Sequence, residues 1–318
     1  MKIFLSGAAG FIGYHTAKRL LQEGHEVLGY DSVNDYYDPK YKEARLGQLK
    51  SFNSFQFVRG SLEDAELLGS SYRSFGPSHV INLAAQAGVR YSIENPKIYI
   101  RSNIIGFQNI IELVRESKPE NFVYASSSSV YGKNEKLPFS EADEVRSPKS
   151  LYAATKIANE LVATSYGNLF EIASTGLRFF TVYGPYGRPD MAMFIFSEHM
   201  RNGTPLPLFN AGLMKRDFTY VDDIVSGVVA SLENAQMNAV YNLGRGKGEN
   251  LLDMVKILGE ALGYDYCFDE MPMQAGDVKE TLADISKAKK ELGYDPKTDI
   301  SKGIPQFAEW YNDFMRKQ

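Results

Sequence analysis

The sequence predicts an α/β fold, a doubly wound parallel sheet followed by a smaller mixed α/β substrate domain. Three observations carry that prediction. Short apolar runs recur along the first half of the chain, alternating with segments of helical periodicity. The first such unit reads strand, glycine turn, helix, strand, acid. After the sixth apolar run a Pro/Gly-dense stretch, residues 184–189, marks a break in the chain. Residues 1–180 are therefore expected to form a nucleotide-binding domain. Residues 181–318 are expected to form the second domain, with some of their segments packing back on the first.

Composition narrows the class. The chain has 318 residues and a net charge of −4, which gives no reason to expect nucleic acid or an anionic membrane as partner. Cys267 is the only cysteine, so no internal disulfide can form and a reducing cytoplasm is expected. No run approaches the roughly 18 apolar residues of a membrane span, and the first residues read as a strand rather than a signal peptide.

Residues 2–6 read as a short buried strand, followed at once by Gly7, Ala8, Ala9, Gly10, Phe11, Ile12 and Gly13. Ile12, Thr16, Leu20 and Leu21 form the apolar side of a helix ended by Glu23 and Gly24, and residues 26–31 form a strand ending in Asp31. A dinucleotide fingerprint needs this context. Gly7 permits the tight turn, Gly10 lets the backbone approach a pyrophosphate, and Gly13 allows close helix–strand packing. The helix N-terminus adds N–H groups and partial positive charge. Asp31 is placed to accept from the adenosine ribose hydroxyls and to repel a 2′-phosphate, favouring NAD over NADP. Further strands are expected at residues 55–60, 80–85, 121–125, 174–180 and 239–244. Helices are expected at 98–117, 193–202 and 251–262.

The stretch from Ser150 to Lys156 follows Ser147 and Pro148, a stop-and-cap pattern that opens a helix. On that helix Tyr152 and Lys156 share a face. An unperturbed phenol titrates near pH ~10, and a neighbouring ammonium draws that value down toward the range useful for proton transfer. Alone, such a pair is also common on helix surfaces. Its weight comes from lying downstream of the glycine turn and of the serine run at residues 126–129. Arg188, in the Pro/Gly loop, is either a solvated charge or a bidentate partner for a carboxylate.

The G-x-x-G-x-x-G spacing with a later Tyr-x-x-x-Lys resembles the extended short-chain dehydrogenase/reductases, whose first domain is a Rossmann-type sheet. Three longer strings are similar to NAD-dependent sugar-nucleotide epimerases, most of all to UDP-glucuronate 4-epimerases. They are Asn34-Asp35-Tyr36-Tyr37-Asp38 with Lys42-Glu43-Ala44-Arg45-Leu46, the run from Arg178 through Thr181 and Arg188 to Met191, and Arg216-Asp217-Phe218 with Val221-Asp222-Asp223. The resemblance implies NAD lying against Gly7, Gly10, Phe11, Ile12, Gly13, Asp31, Asn34, Ser61, Leu62, Leu83, Ala84, Ala85, Gln86, Asn103, Phe179, Tyr152 and Lys156. Ser61 stands where the family usually has Asp, near the adenine amino group. It implies a UDP-sugar held by Arg90, Ser127, Ser128, Ser129, Tyr152, Thr181, Arg188, Met193, Phe209, Arg216 and Asp277. Gln274 stands where many sugar-nucleotide epimerases have Arg, and the linker 232–238 is short for a uronate epimerase.

The implied chemistry is epimerisation. Tyr152 takes the proton of the sugar 4-hydroxyl as the C4 hydride passes to NAD, Ser127 hydrogen-bonds the same oxygen, and Lys156 holds the Tyr152 anion and the nicotinamide ribose. The keto sugar turns over in the pocket and is reduced on its other face. Related dehydratases carry Asp and Glu at the positions of Ser128 and Ser129, and uronate decarboxylases carry an acid at the latter. Here Ser127, Ser128 and Ser129 include no ionisable group, which argues against elimination. Rival expectations are a 4-epimerase of UDP-glucose or UDP-N-acetylglucosamine, a UDP-glucuronate decarboxylase, and a silent nucleotide sensor. The resemblance also implies a homodimer through the 98–117 and Tyr152 helices. No metal-ligand cluster is evident, and His15, His25, His79 and His199 are expected to be structural.

Overall fold

The computed structural model describes residues 1–272 and 278–317. The chain opens as β1 (Lys2–Ser6), α1 (Phe11–Gln22), β2 (Glu26–Asp31), α2 (Lys40–Leu49), β3 (Phe55–Arg59), α3 (Ala65–Phe75) and β4 (His79–Asn82). Two single-turn helices follow, α4 (Tyr91–Glu94) and α5 (Pro96–Tyr99), then a π-helical stretch over Ile100–Ile105 and α6 (Gly106–Ser117). β5 (Asn121–Ser127) runs into a 3₁₀ turn over Ser128–Tyr131, and α7 (Leu151–Phe170) leads to β6 (Ser174–Phe179). Beyond it come β7 (Thr181–Tyr183), α8 (Ala192–Asn202), β8 (Leu206–Phe209), β9 (Lys215–Arg216) and β10 (Phe218–Tyr220). The chain continues through α9 (Val221–Glu233), β11 (Ala239–Leu243), β12 (Glu249–Asn250), α10 (Leu251–Leu262) and β13 (Phe268–Met271). It closes with α11 (Ser286–Leu292) and α12 (Ile300–Arg316).

Seven strands form one parallel sheet in the order β11-β6-β5-β4-β1-β2-β3. Side chains of β1 alternate between two cores, as a period of two requires. Ile3 and Leu5 join the larger apolar cluster with α1 and α9, and Phe4 joins the cluster with α3 and α6. Both faces are covered, so the strands read as continuous apolar runs. β11 comes from the second half of the chain, yet it is the edge strand beside β6, and α9 packs on α1. Smaller two-stranded pairings, β10 with β7, β12 with β9 and β13 with β8, build the rest.

The helix expected over residues 98–117 is broken. The π-helical stretch turns Asn103 inward, where it is 2% exposed and hydrogen-bonded, while Ile100 and Ile105 face out. One wide turn of this kind re-aims a side chain at little cost to the helix around it. Among the described residues no helix is long and apolar enough to cross a membrane.

Candidate active site

The chain steps from β1 to β2 and β3 on one side and to β4 on the other. The crevice at that switch point opens beyond the carboxyl ends of the strands. There lies a cleft of about 830 Å³, the size of a nucleotide-sugar site. Its first wall is backbone. Gly7 has φ +79°, and a Cβ on it would lie 2.7 Å from the Ala84 nitrogen; a Cβ on Gly13 would lie 1.9 Å from the Gly7 carbonyl oxygen. Only hydrogen fits at both places. Helix α1 starts at Gly10 with no side-chain cap, so its first N–H groups, at Phe11, Ile12 and Gly13, border the cleft. Asp31 ends β2, its carboxylate accepting from the Ala9 N–H (3.0 Å) and the Val33 N–H (2.8 Å). Burial raises its pKa, against the pull of the Val33 N–H and of Lys42. Asn34, Ser61, Leu62, Leu83, Ala84, Ala85, Gln86 and Phe179 continue this wall. A side-chain-free turn, uncapped helix N–H groups and a strand-end carboxylate suit a dinucleotide's pyrophosphate and ribose.

Tyr152 and Lys156 lie one turn apart on α7, whose N-cap is Ser150, accepting from the Ala153 N–H at 3.1 Å. Ser127, at the end of β5, stands close enough to the Tyr152 phenol to favour its ionised form. Burial raises the phenol's pKa, and Ser127 and the charge of Arg188 oppose the rise. The Lys156 ammonium donates to the Ala125 carbonyl (2.8 Å), and burial pushes its pKa down to about 8 against the pull of Glu160. The α7 repeat brings the two residues' Cβ atoms together, but a four-carbon stem carries the charge on to the end of β5. The Tyr99 ring meets Tyr152 edge-on at 6.2 Å, its own hydroxyl donating to the Ala87 and Gly88 carbonyls (2.8 and 2.6 Å).

Ser128 and Ser129 line the cleft from the 3₁₀ turn, and Thr181 lines it from β7. Arg188 is there too, but not alone. Its Nε donates to Asp190 Oδ1 at 2.9 Å and its Nη2 to Oδ2, and the Tyr36 hydroxyl donates to the same Oδ2 at 3.0 Å. Asp190 and Glu94 also line the cleft, while the serine run itself carries no ionisable group. Arg45 joins the two ends of the site. Fully buried, it donates to the Ala9 carbonyl in the glycine turn, the Tyr37 hydroxyl, and the Tyr186 and Gly187 carbonyls just before Arg188. His15 adds a second tie, its Nε2 2.8 Å from the Pro185 carbonyl oxygen; burial pushes its pKa down to about 4, leaving the ring neutral.

At the far end, Phe209 and Arg216 line the cleft and the Arg90 guanidinium lies 5.3 Å from the centre of the Phe209 ring. Arg216 donates to the Lys215 and Lys279 carbonyls (2.9 and 3.2 Å). Two anticipated residues stand away from the cleft. Met193 belongs to the buried stripe of α8, and Met191 and Ala192 line the cleft in its place. Asn103 braces rather than lines, since its side chain bonds the Gln86 backbone (2.8 and 3.0 Å) and the Thr155 hydroxyl (3.0 Å). Thr155 in turn donates to the Tyr152 carbonyl (2.8 Å). Asp277 and Gln274 lie outside the described residues.

The parallel sheet and the cleft at its carboxyl edge define the class: a dinucleotide-binding α/β protein of the short-chain type, with a Tyr-x-x-x-Lys helix on its cleft. Residues 3–244 match the model of the NAD dependent epimerase/dehydratase family. Protein CapI of Staphylococcus aureus is 44% identical over 335 residues, covering 100% of both chains. UDP-glucuronate 4-epimerase 3 of Arabidopsis thaliana is 45% identical over 327 residues, 97% of this chain and 76% of that one. UDP-glucuronic acid 4-epimerase from Bacillus cereus, crystallised with UDP-glucuronic acid and NAD, superposes with a TM-score of 0.93 at 33% identity, covering 99% of this chain and 100% of that one. This chain belongs to the NAD dependent epimerase/dehydratase family, within the extended short-chain dehydrogenase/reductases.

Proposed function

We propose that this protein is a UDP-glucuronate 4-epimerase, interconverting UDP-glucuronate and UDP-galacturonate through a transient 4-keto sugar with bound NAD. The observation that carries the reading is the uncharged Ser127–Ser128–Ser129 turn facing Tyr152, with Arg188 on the same cleft. That set can move one proton and hold one carboxylate, and the serine turn offers no acid or base for expelling water. NAD, held by the α1 N-terminus, Asp31 and Lys156, supplies reversible hydride acceptance at the sugar's C4. Tyr152 removes and returns the 4-hydroxyl proton, and Ser127 hydrogen-bonds the oxygen between them. Thr181, Ser128, Ser129 and Arg188 hold the sugar carboxylate, and Phe209, Arg216 and Arg90 form the nucleotide end. The test is to give the purified protein UDP-glucuronate, UDP-glucose and UDP-N-acetylglucosamine separately and resolve the products by chromatography and mass. Conversion of UDP-glucuronate to its 4-epimer, faster than the neutral sugars, is expected. Preference for a neutral hexose, or pentose as the main product, would sink the reading.

Asp31→Asn is expected to weaken NAD retention about tenfold, a loss of roughly 1.4 kcal/mol, with turnover restored by added NAD. An unchanged NAD content after gel filtration would show that Asp31 does not hold the ribose. We place the enzyme in the cytoplasm, where Cys267, exposed and free, stays reduced. A second copy of the chain is the partner proposed for the apolar face of α7 and the π-helical stretch. Leu161 is 66% exposed and Leu169 69%, and Ile100 and Ile105 of the π-helical stretch are exposed too. Leu161→Glu should shift a dimer to monomer in light scattering, whereas a wild-type monomer would remove that interface.

A further inference from the structure

We infer that Asp190, fixed by Tyr36, is the positioning residue that aims Arg188 at the substrate's carboxylate; the inference rests on the uronate reading above. A guanidinium can pair with carboxylates along more than one edge of its planar fork. Asp190 takes the Nε edge, with Nε–Oδ1 at 2.9 Å and Nη2 on Oδ2, so Nη1 takes no part in the pair, and Arg188 itself lines the cleft. Two parallel hydrogen bonds fix the plane of the fork, which a single contact does not. Asp190 is itself held. The Tyr36 hydroxyl donates to its Oδ2 (3.0 Å), and the Tyr36 ring packs on Tyr91 at 4.8 Å. Gly88 borders that hydroxyl so closely that a Cβ there would come within 2.9 Å of it. Part of the Asn34–Leu46 motif thus steadies an ion pair of the Arg188 loop.

Steadiness matters because the 4-keto uronate is a β-keto acid. If its C5–C6 bond swings into line with the C4 carbonyl π system, that bond breaks. Its electron pair enters the carbonyl as an enolate that takes a proton at C5, and the carboxylate leaves as carbon dioxide, giving a UDP-4-keto-pentose. An Arg188 held in one plane keeps the carboxylate out of that alignment. An Arg188 freed from Asp190 still attracts the carboxylate but follows it as it turns.

The experiment is turnover of UDP-glucuronate by the full chain, with products separated into 4-epimer and pentose. Asp190→Asn should lower kcat for epimerisation about tenfold without raising KM, and turn roughly a tenth or more of the product into pentose. Tyr36→Phe, which keeps the ion pair and removes one hydrogen bond, should move the product ratio the same way by less, and it keeps the test alive if Asp190→Asn folds poorly. A merely structural role would lower activity with clean product, or raise KM and lower kcat together; either result overturns the inference. A wild-type chain that leaves UDP-glucuronate untouched would instead remove the uronate reading beneath it.

Discussion

A Tyr152→Phe variant is expected to keep its fold and its NAD and to lose turnover by about 10³, within the range that a positioned acid/base contributes. Only one oxygen is removed, and the ring keeps its edge contact with Tyr99 at 6.2 Å. No neighbour can take over the work. Ser127 is a hydroxyl with no charge of its own, and the Lys156 ammonium is engaged by the Ala125 carbonyl at 2.8 Å. The measurement is kcat with UDP-glucuronate, together with NAD released on denaturation. Residual turnover within tenfold of wild type, with NAD retained, would show that another group moves the proton.

The second large effect is expected at Arg188. Its charge opposes the burial that raises the Tyr152 pKa, and it lines the same cleft, where we propose that it holds the sugar carboxylate. Arg188→Ala removes both influences. The phenol is then harder to ionise, so epimerisation slows, and the carboxylate is no longer held away from the alignment that expels carbon dioxide. Turnover should fall by roughly 10², and a UDP-pentose should appear beside the epimer. Asp190, left without its cation, would be an unpaired carboxylate in a half-buried place, so Arg188→Lys is the fairer control: it keeps a charge but not the fork. Wild-type kinetics and clean product from Arg188→Ala would separate this residue from the carboxylate altogether.

The framework of the cleft was legible because backbone necessity writes itself into sequence. Gly7 and Gly13 occupy places where a methyl group collides with the Ala84 nitrogen or the Gly7 carbonyl, so the glycine spacing carries the geometry directly. Ser127, Tyr152 and Lys156 were legible as residue types at fixed offsets. What lies across the fold was not. Asp190 is two residues from Arg188 in an irregular loop, and its orientation depends on Tyr36, 154 residues away. Asn103 was expected at the cofactor, but the π-helical stretch turns it behind the wall, a twist with no periodic signature. Met193 turns into the buried stripe of α8, while Ala192 and Ile195 on either side of it line the cleft. The bond from Lys156 to the Ala125 carbonyl was not legible for a simpler reason: helical spacing fixes where Lys156 starts, not where its long stem ends.

Arg45 has a consequence for how the molecule can move. One rigid cation, sealed from water, grips the glycine turn with one nitrogen and the strap ahead of Arg188 with the others. A lysine would offer a single point of attachment in place of that rivet. The glycine turn and the strap ahead of Arg188 are thereby bolted together. Whatever pivoting an inverted sugar requires must then be supplied by the rotatable bonds of its own diphosphate tether, swinging inside walls that stay put.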